Sequence, residues 1–201
     1  MKVRQTDLPG VLLIQPEVFT DERGFFLETF RQDRYERAGA GGGFRQGNRS
    51  RSRQGVLRGM HYQLGQPQAK LVWVSSGSVF DVAVDVRAGS PTFGRWTGHE
   101  LSADNKLQLY VPQGFAHGFY VLSEWADFEY LCSDYYAPAE ERSIRWDDPQ
   151  VGIAWPQGER IVSPRDAQAP LRVGPFRPAR LAPVKAPGHR RAQVVQLALQ
   201  P

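Results

Sequence analysis

The chain has 201 residues, of which 41% are hydrophobic and 23% are charged, and its net charge is +4. This size and balance indicate one substantial globular domain and exclude a chain that is mainly disordered. No apolar run approaches the length of about 20 residues that spans a bilayer, so we expect no membrane-spanning helix.

The positive charge allows an anionic partner, which can be a nucleic acid, a membrane surface or a phosphorylated small molecule. Cys132 is the single cysteine, which excludes an internal disulfide and is typical of a reducing compartment. The first seven residues are not followed by the apolar run of a signal peptide. We therefore predict a cytoplasmic protein.

The N-terminal part of the chain contains short elements separated by turns. Residues 11–14 form an apolar stretch, residues 21–24 predict a turn, and residues 25–30 predict a strand. Residues 31–37 predict a short helix, which ends at the glycine-rich loop of residues 39–43.

Residues 56–136 predict strands almost throughout. Residues 79–86 alternate at the two-residue period of a pleated sheet, and residues 127–133 alternate again. The 20 glycines and 15 prolines favour many turns over long helices. Short strands at regular spacing predict an all-β sandwich or barrel.

The composition changes beyond Pro170, where prolines and arginines become frequent. We therefore place one domain at residues 1–170 and a C-terminal extension at residues 171–201. A segment of this composition is typical of an extended strap or a disordered tail. No function is predicted for it.

The chemistry is predicted to lie in residues 58–63 and the strand that follows them. His61 is flanked by Arg58 and Lys70. A neutral imidazole accepts a proton near neutral pH, and neighbouring cations hold an anion. The alternative is a basic surface strand in which the histidine has no role.

The sequence also suggests a metal site as an alternative, because small barrels often bind a metal through histidines such as His61 and His117. The common pattern places a second histidine two residues after the first, followed by a carboxylate and a further histidine. Tyr62 and Gln63 follow His61 here, so the second ligand is missing. A site without a metal is favoured.

The basic run of residues 45–58 has the charge of an RNA-binding patch but lacks the interleaved aromatic side chains on which bases stack. Arginine forks suit a diphosphate instead, and Arg23, Arg58 and Lys70 would serve if the fold brings them together. The alternative for each is a solvated surface charge.

Tyr130 lies in an alternating segment, where it is either a core residue or lines a polar cavity that satisfies its hydroxyl. Asp166 lies in a predicted loop, where most aspartates cap a turn.

Taken together, several segments resemble the dTDP-4-dehydrorhamnose 3,5-epimerase family. The similarity covers roughly residues 5–170, in the family's order and spacing. The motifs are residues 21–30 (DERGFFLETF), 46–50 (QGNRS), 55–63 (GVLRGMHYQ), 89–94 (GSPTFG), 111–119 (VPQGFAHGF) and 144–149 (IRWDDP).

This resemblance implies a cupin-like jelly-roll barrel with short helices, which acts as a homodimer and needs neither cofactor nor metal. The implied substrate is a dTDP-linked 4-keto-6-deoxy sugar. By the same resemblance His61 is the general base and Asp166 orients it. Tyr130 is the general acid on the other face of the sugar ring, and Lys70 lies beside the C4 oxygen.

The resemblance also implies which residues bind the nucleotide sugar. Arg23 and Glu28 match positions that reach the site of the neighbouring subunit. Gly47 belongs to the binding run but stands where many relatives have aspartate, so it offers no side-chain contact. The remaining positions are Gln46, Asn48, Arg58, Lys70, His117, Tyr136, Glu141 and Arg165.

The implied reaction inverts C3 and C5 of dTDP-4-dehydro-6-deoxy-D-glucose through enolates, which gives dTDP-4-dehydro-L-rhamnose. A related enzyme that inverts only one of the two carbons is the nearest alternative. A non-catalytic module that binds sugar nucleotides and a metal-dependent cupin oxygenase are the others. Nucleic acid is not expected as a partner, because the pyrophosphate accounts for the arginines.

Overall fold

The computed structural model describes residues 1–41 and 43–171, which form two facing β-sheets and a separate hairpin. The elements in chain order are β1 (Lys2–Gln5), β2 (Leu12–Gln15), β3 (Val18–Asp21), β4 (Gly24–Leu27), α1 (Gln32–Arg37), β5 (Gln46–Arg53), β6 (Val56–Gln63), β7 (Lys70–Ser76), β8 (Ser78–Asp85), β9 (Trp96–Ser102), β10 (Gln108–Val111), β11 (Phe115–Val121), β12 (Trp125–Cys132), a 3-10 turn (Pro138–Glu140), β13 (Glu141–Ser143), β14 (Ile161–Val162) and α2 (Pro164–Ala167).

The strand order within each sheet differs from the order along the chain. The first sheet runs β1-β2-β10-β7-β12-β5, and the second runs β13-β6-β11-β8-β9, with β14 parallel beside β6. The other pairs within the two sheets are antiparallel. The predicted all-β jelly roll with short helices is therefore confirmed.

The main core lies between the two sheets. Val72 and Leu109 of the first sheet pack in one buried cluster with Ala83 and Phe119 of the second. The outer faces are covered as well, because Tyr35 of α1 belongs to a second buried cluster on the first sheet. Both sheets therefore bury side chains on two faces.

The predicted strand at residues 79–86 is observed as β8, but its polar positions are buried. Its polar positions, Asp81 and Asp85, are both 0% exposed. Phe80 on the other face packs edge to face against Trp155, so neither face is open to solvent. The face of β8 that carries Asp81 therefore lies towards the space between the sheets, and the face that carries Phe80 packs against an outer apolar layer.

Two predicted elements differ from those observed, and one strand had no prediction. The strand expected at residues 25–30 ends at Leu27, and the basic run contains the edge strand β5, Gln46–Arg53. Asp166 lies in the short helix α2 and not in a loop. Ser163 caps this helix by accepting a hydrogen bond from the Asp166 N–H, and Pro164 occupies its first turn.

The predicted C-terminal extension lies, apart from Leu171, outside the described residues. Among residues 1–41 and 43–171, no helix is long and apolar enough to cross a membrane.

Truncating Leu109 to alanine is expected to lower the free energy of unfolding by about 2 to 5 kcal/mol, because the side chain is fully buried and leaves a cavity. Urea unfolding followed by tryptophan fluorescence measures the change. Leu171→Ala is the matched control, since Leu171 is 43% exposed and its loss should cost less than about 0.5 kcal/mol. Equal effects of the two substitutions would contradict the assignment of Leu109 to the main core.

Candidate active site

A cavity of about 310 Å³ lies between the sheets. The first sheet supplies part of its wall from β5, β7 and β12, and the second supplies the rest from β6, β11 and β13. Most of the lining side chains are polar, which is unusual for the interior of a small sandwich. They are Gln46, Asn48, His61, Tyr62, Gln63, Gln68, Lys70, Phe115, Tyr130, Cys132, Tyr136 and Glu141.

His61 of β6 is held by a carboxylate from behind. Its Nε2 lies 2.6 Å from Oδ1 of Asp166, and the Asp166 side chain is only 5% exposed. Burial tends to raise the pKa of Asp166, but hydrogen bonds from His61, Gly59 and Ser163 hold it below its ordinary value. The ionised carboxylate only accepts, so Nε2 carries the hydrogen and Nδ1 is left as the basic atom.

Two glycines bring β6 and β11 unusually close beside His61. A Cβ at Gly59 would lie 2.7 Å from Cα of Gly118, and one at Gly118 would lie 2.6 Å from the carbonyl oxygen of Arg58. The Gly59 N–H donates to Oδ2 of Asp166 at 3.3 Å. The close strand contact and this hydrogen bond together fix the His61–Asp166 pair.

Lys70 and Tyr130 reach the cavity from the opposite sheet. The Lys70 Nζ lies 5.9 Å from the centroid of the Tyr130 ring. Burial lowers the pKa of Lys70, while Cys132, Asp81 and Glu141 oppose that change. Burial also raises the pKa of Tyr130, so its phenol stays protonated at neutral pH.

A second group of polar residues borders the mouth of the cavity. Glu141 accepts hydrogen bonds from the Tyr136 hydroxyl at 2.5 Å and pairs with the Arg165 guanidinium at 2.6 Å. Burial would raise the pKa of Glu141, but these two partners lower it. Tyr136 is 50% exposed, so its ring remains available to a ligand.

Strand alternation separates the three predicted binding residues of β5. Gln46 and Asn48 line the cavity, and the Gln46 amide donates to the Asn48 side chain at 3.0 Å. Gly47 between them faces outwards, where a Cβ would meet the Leu131 side chain at 3.4 Å. A side chain at position 47 would thus point away from this cavity.

Apart from Arg165 at the cavity mouth, four other predicted binding residues do not line this cavity. Arg58 is exposed and its Nε donates to Ser52 Oγ at 3.0 Å. His117 is 6% exposed and is paired with Asp81 inside the sandwich. Arg23 pairs with Asp21, and Glu28 pairs with Arg34.

The sequence predicted no catalytic or binding role for five residues that line the cavity: Tyr62, Gln63, Gln68, Phe115 and Cys132. Tyr62 and Gln63 lie in the motif of His61, which was the available signal. Gln68 and Phe115 have no such signal, because a lone amide or phenyl group does not indicate chemistry.

The arrangement defines a class of protein. A jelly-roll sandwich presents an imidazole, held by a carboxylate of α2, on one sheet and a phenol with an ammonium group on the other. These groups suit proton transfer at carbon next to a carbonyl group. Within the described residues, no three His, Cys, Asp or Glu side chains converge as metal ligands do.

The profile described as dTDP-4-dehydrorhamnose 3,5-epimerase matches residues 5–172. The chain belongs to this family. It is 53% identical over 170 residues to the dTDP-4-dehydrorhamnose 3,5-epimerase of Pseudomonas aeruginosa, which covers 84% of this chain and 94% of that protein.

Solved structures give the same relationship. A dTDP-6-deoxy-D-glucose-3,5-epimerase of Legionella pneumophila, crystallised with dTDP-4-keto-L-rhamnose, is 54% identical with a TM-score of 0.83, and the match covers 84% of this chain and 91% of that one. A 3′-monoepimerase of Streptomyces bikiniensis in complex with dTDP-quinovose is 39% identical with a TM-score of 0.78, over 83% of this chain and 85% of that one.

Proposed function

We propose that the chain is a dTDP-4-dehydrorhamnose 3,5-epimerase, which converts dTDP-4-dehydro-6-deoxy-α-D-glucose to dTDP-4-dehydro-β-L-rhamnose. One observation carries the proposal. His61, which is paired with Asp166 of α2, projects from one sheet, while Tyr130 and Lys70 project from the other into the same cavity. A ring bound between the sheets has a base on one face and an acid on the other.

Each inversion then needs two proton transfers. Nδ1 of His61 removes the proton of C3 or C5, and the electron pair of that C–H bond moves into an enolate with the C4 oxygen. The Lys70 ammonium stabilises the negative oxygen in a site with little water. Tyr130 delivers a proton to the opposite face of the carbon, and solvent restores both side chains.

The remaining polar side chains are proposed to hold the nucleotide sugar. Tyr136 offers an exposed ring at the cavity mouth, and Glu141 and Arg165 fix that ring from behind. Arg58 supplies a cation for the diphosphate, since a guanidinium fork matches phosphate oxygens. Gln46 and Asn48 offer amide groups inside the cavity, and His117 lies beside His61 as its register partner.

Inversion at one carbon only is the alternative within this family. The chain is 53% and 54% identical to the two 3,5-epimerases named above, but 39% identical to the 3′-monoepimerase. That difference favours inversion at both carbons.

The test is to incubate the purified protein with dTDP-4-dehydro-6-deoxy-α-D-glucose in deuterium oxide and to follow C3 and C5 by NMR. Deuterium at both carbons, with formation of the L-rhamnose configuration, is the expected result. Deuterium at one carbon would favour the monoepimerase, and no deuterium would reject the activity.

We also propose that the enzyme is a homodimer in which Arg23 and Glu28 reach the site of the neighbouring subunit. The hairpin β3–β4 pairs only with itself among the described strands. Its Phe25 and Phe26 are 60% and 70% exposed, and the Arg23 side chain is 90% exposed. Aromatic side chains that project together are typical of a protein interface.

Replacing Phe26 by aspartate is expected to shift the protein towards a monomer and to lower activity roughly tenfold or more, because a charge is buried unpaired at the interface. Sedimentation velocity and the NMR assay measure the two effects. Trp125→Asp is the matched control, since Trp125 is also exposed (49%) but lies away from the hairpin on β12. A dimer that survives Phe26→Asp would contradict the role of the hairpin.

Residues 1–170 are proposed to form the catalytic domain and residues 171–201 an extension of it. A cytoplasmic location is proposed because Cys132, the single cysteine, is free and buried, as is typical of a reducing compartment.

A further inference from the structure

A buried carboxylate–imidazole pair lies beside the cavity and has no part in the reaction described above. The Asp81 side chain of β8 is fully buried, and its two oxygens lie 2.9 and 3.0 Å from Nε2 of His117. A buried carboxylate is costly unless hydrogen bonds and opposite charge compensate it. Its retention inside an apolar core therefore calls for an explanation.

The pair is adjacent to the catalytic histidine. His117 of β11 is the register partner of His61 on β6, so the two side chains lie on the same face of the sheet. The His117 ring also stacks on Phe128 of the opposite sheet, with centroids 6.0 Å apart. Asp81 of β8 thus lies two strands from His61 in the sheet order, and it holds the ring of His117 on the intervening strand β11.

Within the described residues, no carboxylate lies within salt-bridge distance of the Lys70 Nζ. Burial lowers the pKa of Lys70, whereas the charges of Cys132, Asp81 and Glu141 raise it. Cys132 is a thiol whose own pKa is raised by burial, so it is neutral near neutral pH. Asp81 and Glu141 are the carboxylates that act on Lys70.

His99 faces Asp81 from the other side but does not neutralise it. His99 of β9 is the register partner of Asp81, and its Nε2 lies 3.0 Å from Thr97 Oγ1. Burial lowers the pKa of His99, with smaller effects from Asp81, Arg4 and Asp7. His99 is therefore neutral near neutral pH, and the Asp81 charge acts on His117 and Lys70.

We propose that Asp81 is a positioning residue of the epimerase, whose buried carboxylate fixes the His117 ring beside His61 and supplies negative charge that balances the Lys70 ammonium. This inference rests on the proposed function, since Lys70 matters only if an enolate forms. In this role Asp81 holds the His117 ring and the Lys70 ammonium in place without itself contacting the substrate.

The test is Asp81→Asn, which keeps an acceptor for His117 but removes the charge. Without that charge the pKa of Lys70 falls further, so the ammonium is lost at lower pH. We expect the alkaline limb of the exchange rate to move down by about one pH unit, with a roughly tenfold lower rate near the top of the profile. The KM of the substrate should change less than about threefold, because the contacts to the diphosphate and to the nucleobase of the substrate remain.

Asp85→Asn is the matched control. Asp85 is a second fully buried carboxylate of β8, but it bonds Arg87, Ser90 and Thr92 at the end of the strand. Its loss should lower stability and leave the alkaline limb in place. An Asp81→Asn profile whose limb does not move, or a limb that moves equally in both variants, would overturn the inference.

A measurement on the unmodified protein covers the case in which Asp81→Asn does not fold. Nitrogen-15 NMR of the imidazole rings should show His117 with its hydrogen on Nε2, because a carboxylate accepts from that atom. A neutral ring with the hydrogen on Nδ1 would overturn the positioning role. Absence of hydrogen exchange in the unmodified protein would instead defeat the proposed function, whatever the His117 ring shows.

Discussion

Replacing His61 by alanine is expected to abolish hydrogen exchange at both C3 and C5 and to leave dTDP binding almost intact. The Nδ1 atom of His61 is the proposed base for both carbons, and Asp166 fixes the ring through Nε2. A positioned general base typically contributes about 10² to 10⁴-fold in rate, and no other imidazole lines the cavity among the described residues. Deuterium incorporation followed by NMR measures the loss, and calorimetric titration with dTDP measures binding.

The control for this substitution is His99→Gln. His99 is a half-buried histidine of β9 that bonds Thr97 and does not line the cavity. Its replacement should leave exchange within about threefold of the unmodified rate, since it touches no reacting atom. Loss of dTDP binding in His61→Ala, with exchange retained in proportion to bound substrate, would mean that His61 binds and does not abstract protons.

Replacing Tyr130 by phenylalanine is expected to separate proton removal from inversion. His61 still forms the enolate and returns a proton to the same face, so deuterium enters with retention of configuration. Inversion needs a donor on the opposite face, and its rate should fall about 10² to 10⁴-fold. The measurement compares deuterium incorporation with formation of the L-rhamnose configuration in one NMR time course.

Tyr136→Phe is the matched tyrosine control. The Tyr136 hydroxyl bonds Glu141 at the cavity mouth, so its loss should weaken substrate binding and slow exchange and inversion together. A constant ratio of exchange to inversion is the expected result. If Tyr130→Phe also kept that ratio constant, the opposite-face donor would be another group, and the proposed role of Tyr130 would be wrong.

The fold was predictable because strand periodicity and turn residues act locally. The alternation of residues 79–86 and 127–133 predicts strands, and glycines and prolines indicate the turns between strands. The burial of Asp81 was not predictable in this way. A two-residue alternation predicts which side chains share a face, but it does not tell whether that face meets solvent or a second layer.

The candidate site was partly predictable for a similar reason. His61, Arg58 and Lys70 are close in sequence, so a local pattern already suggested chemistry there. The Asp166 partner of His61 lies 105 positions away, and only the family resemblance pointed to it. Periodicity alone left Tyr130 open between core and cavity, because that choice depends on which strand faces it across the sandwich.

The proposed proton donor, Tyr130, and the proposed base, His61, belong to different sheets, and the apolar cluster around Leu109 and Phe119 sets the distance between those sheets. Substitutions that change the side-chain volume of that cluster therefore change the distance between the groups that act on the two faces of the sugar ring. Substitutions in this hydrophobic core can therefore change which product forms, even when every ionisable side chain of the cavity is unchanged.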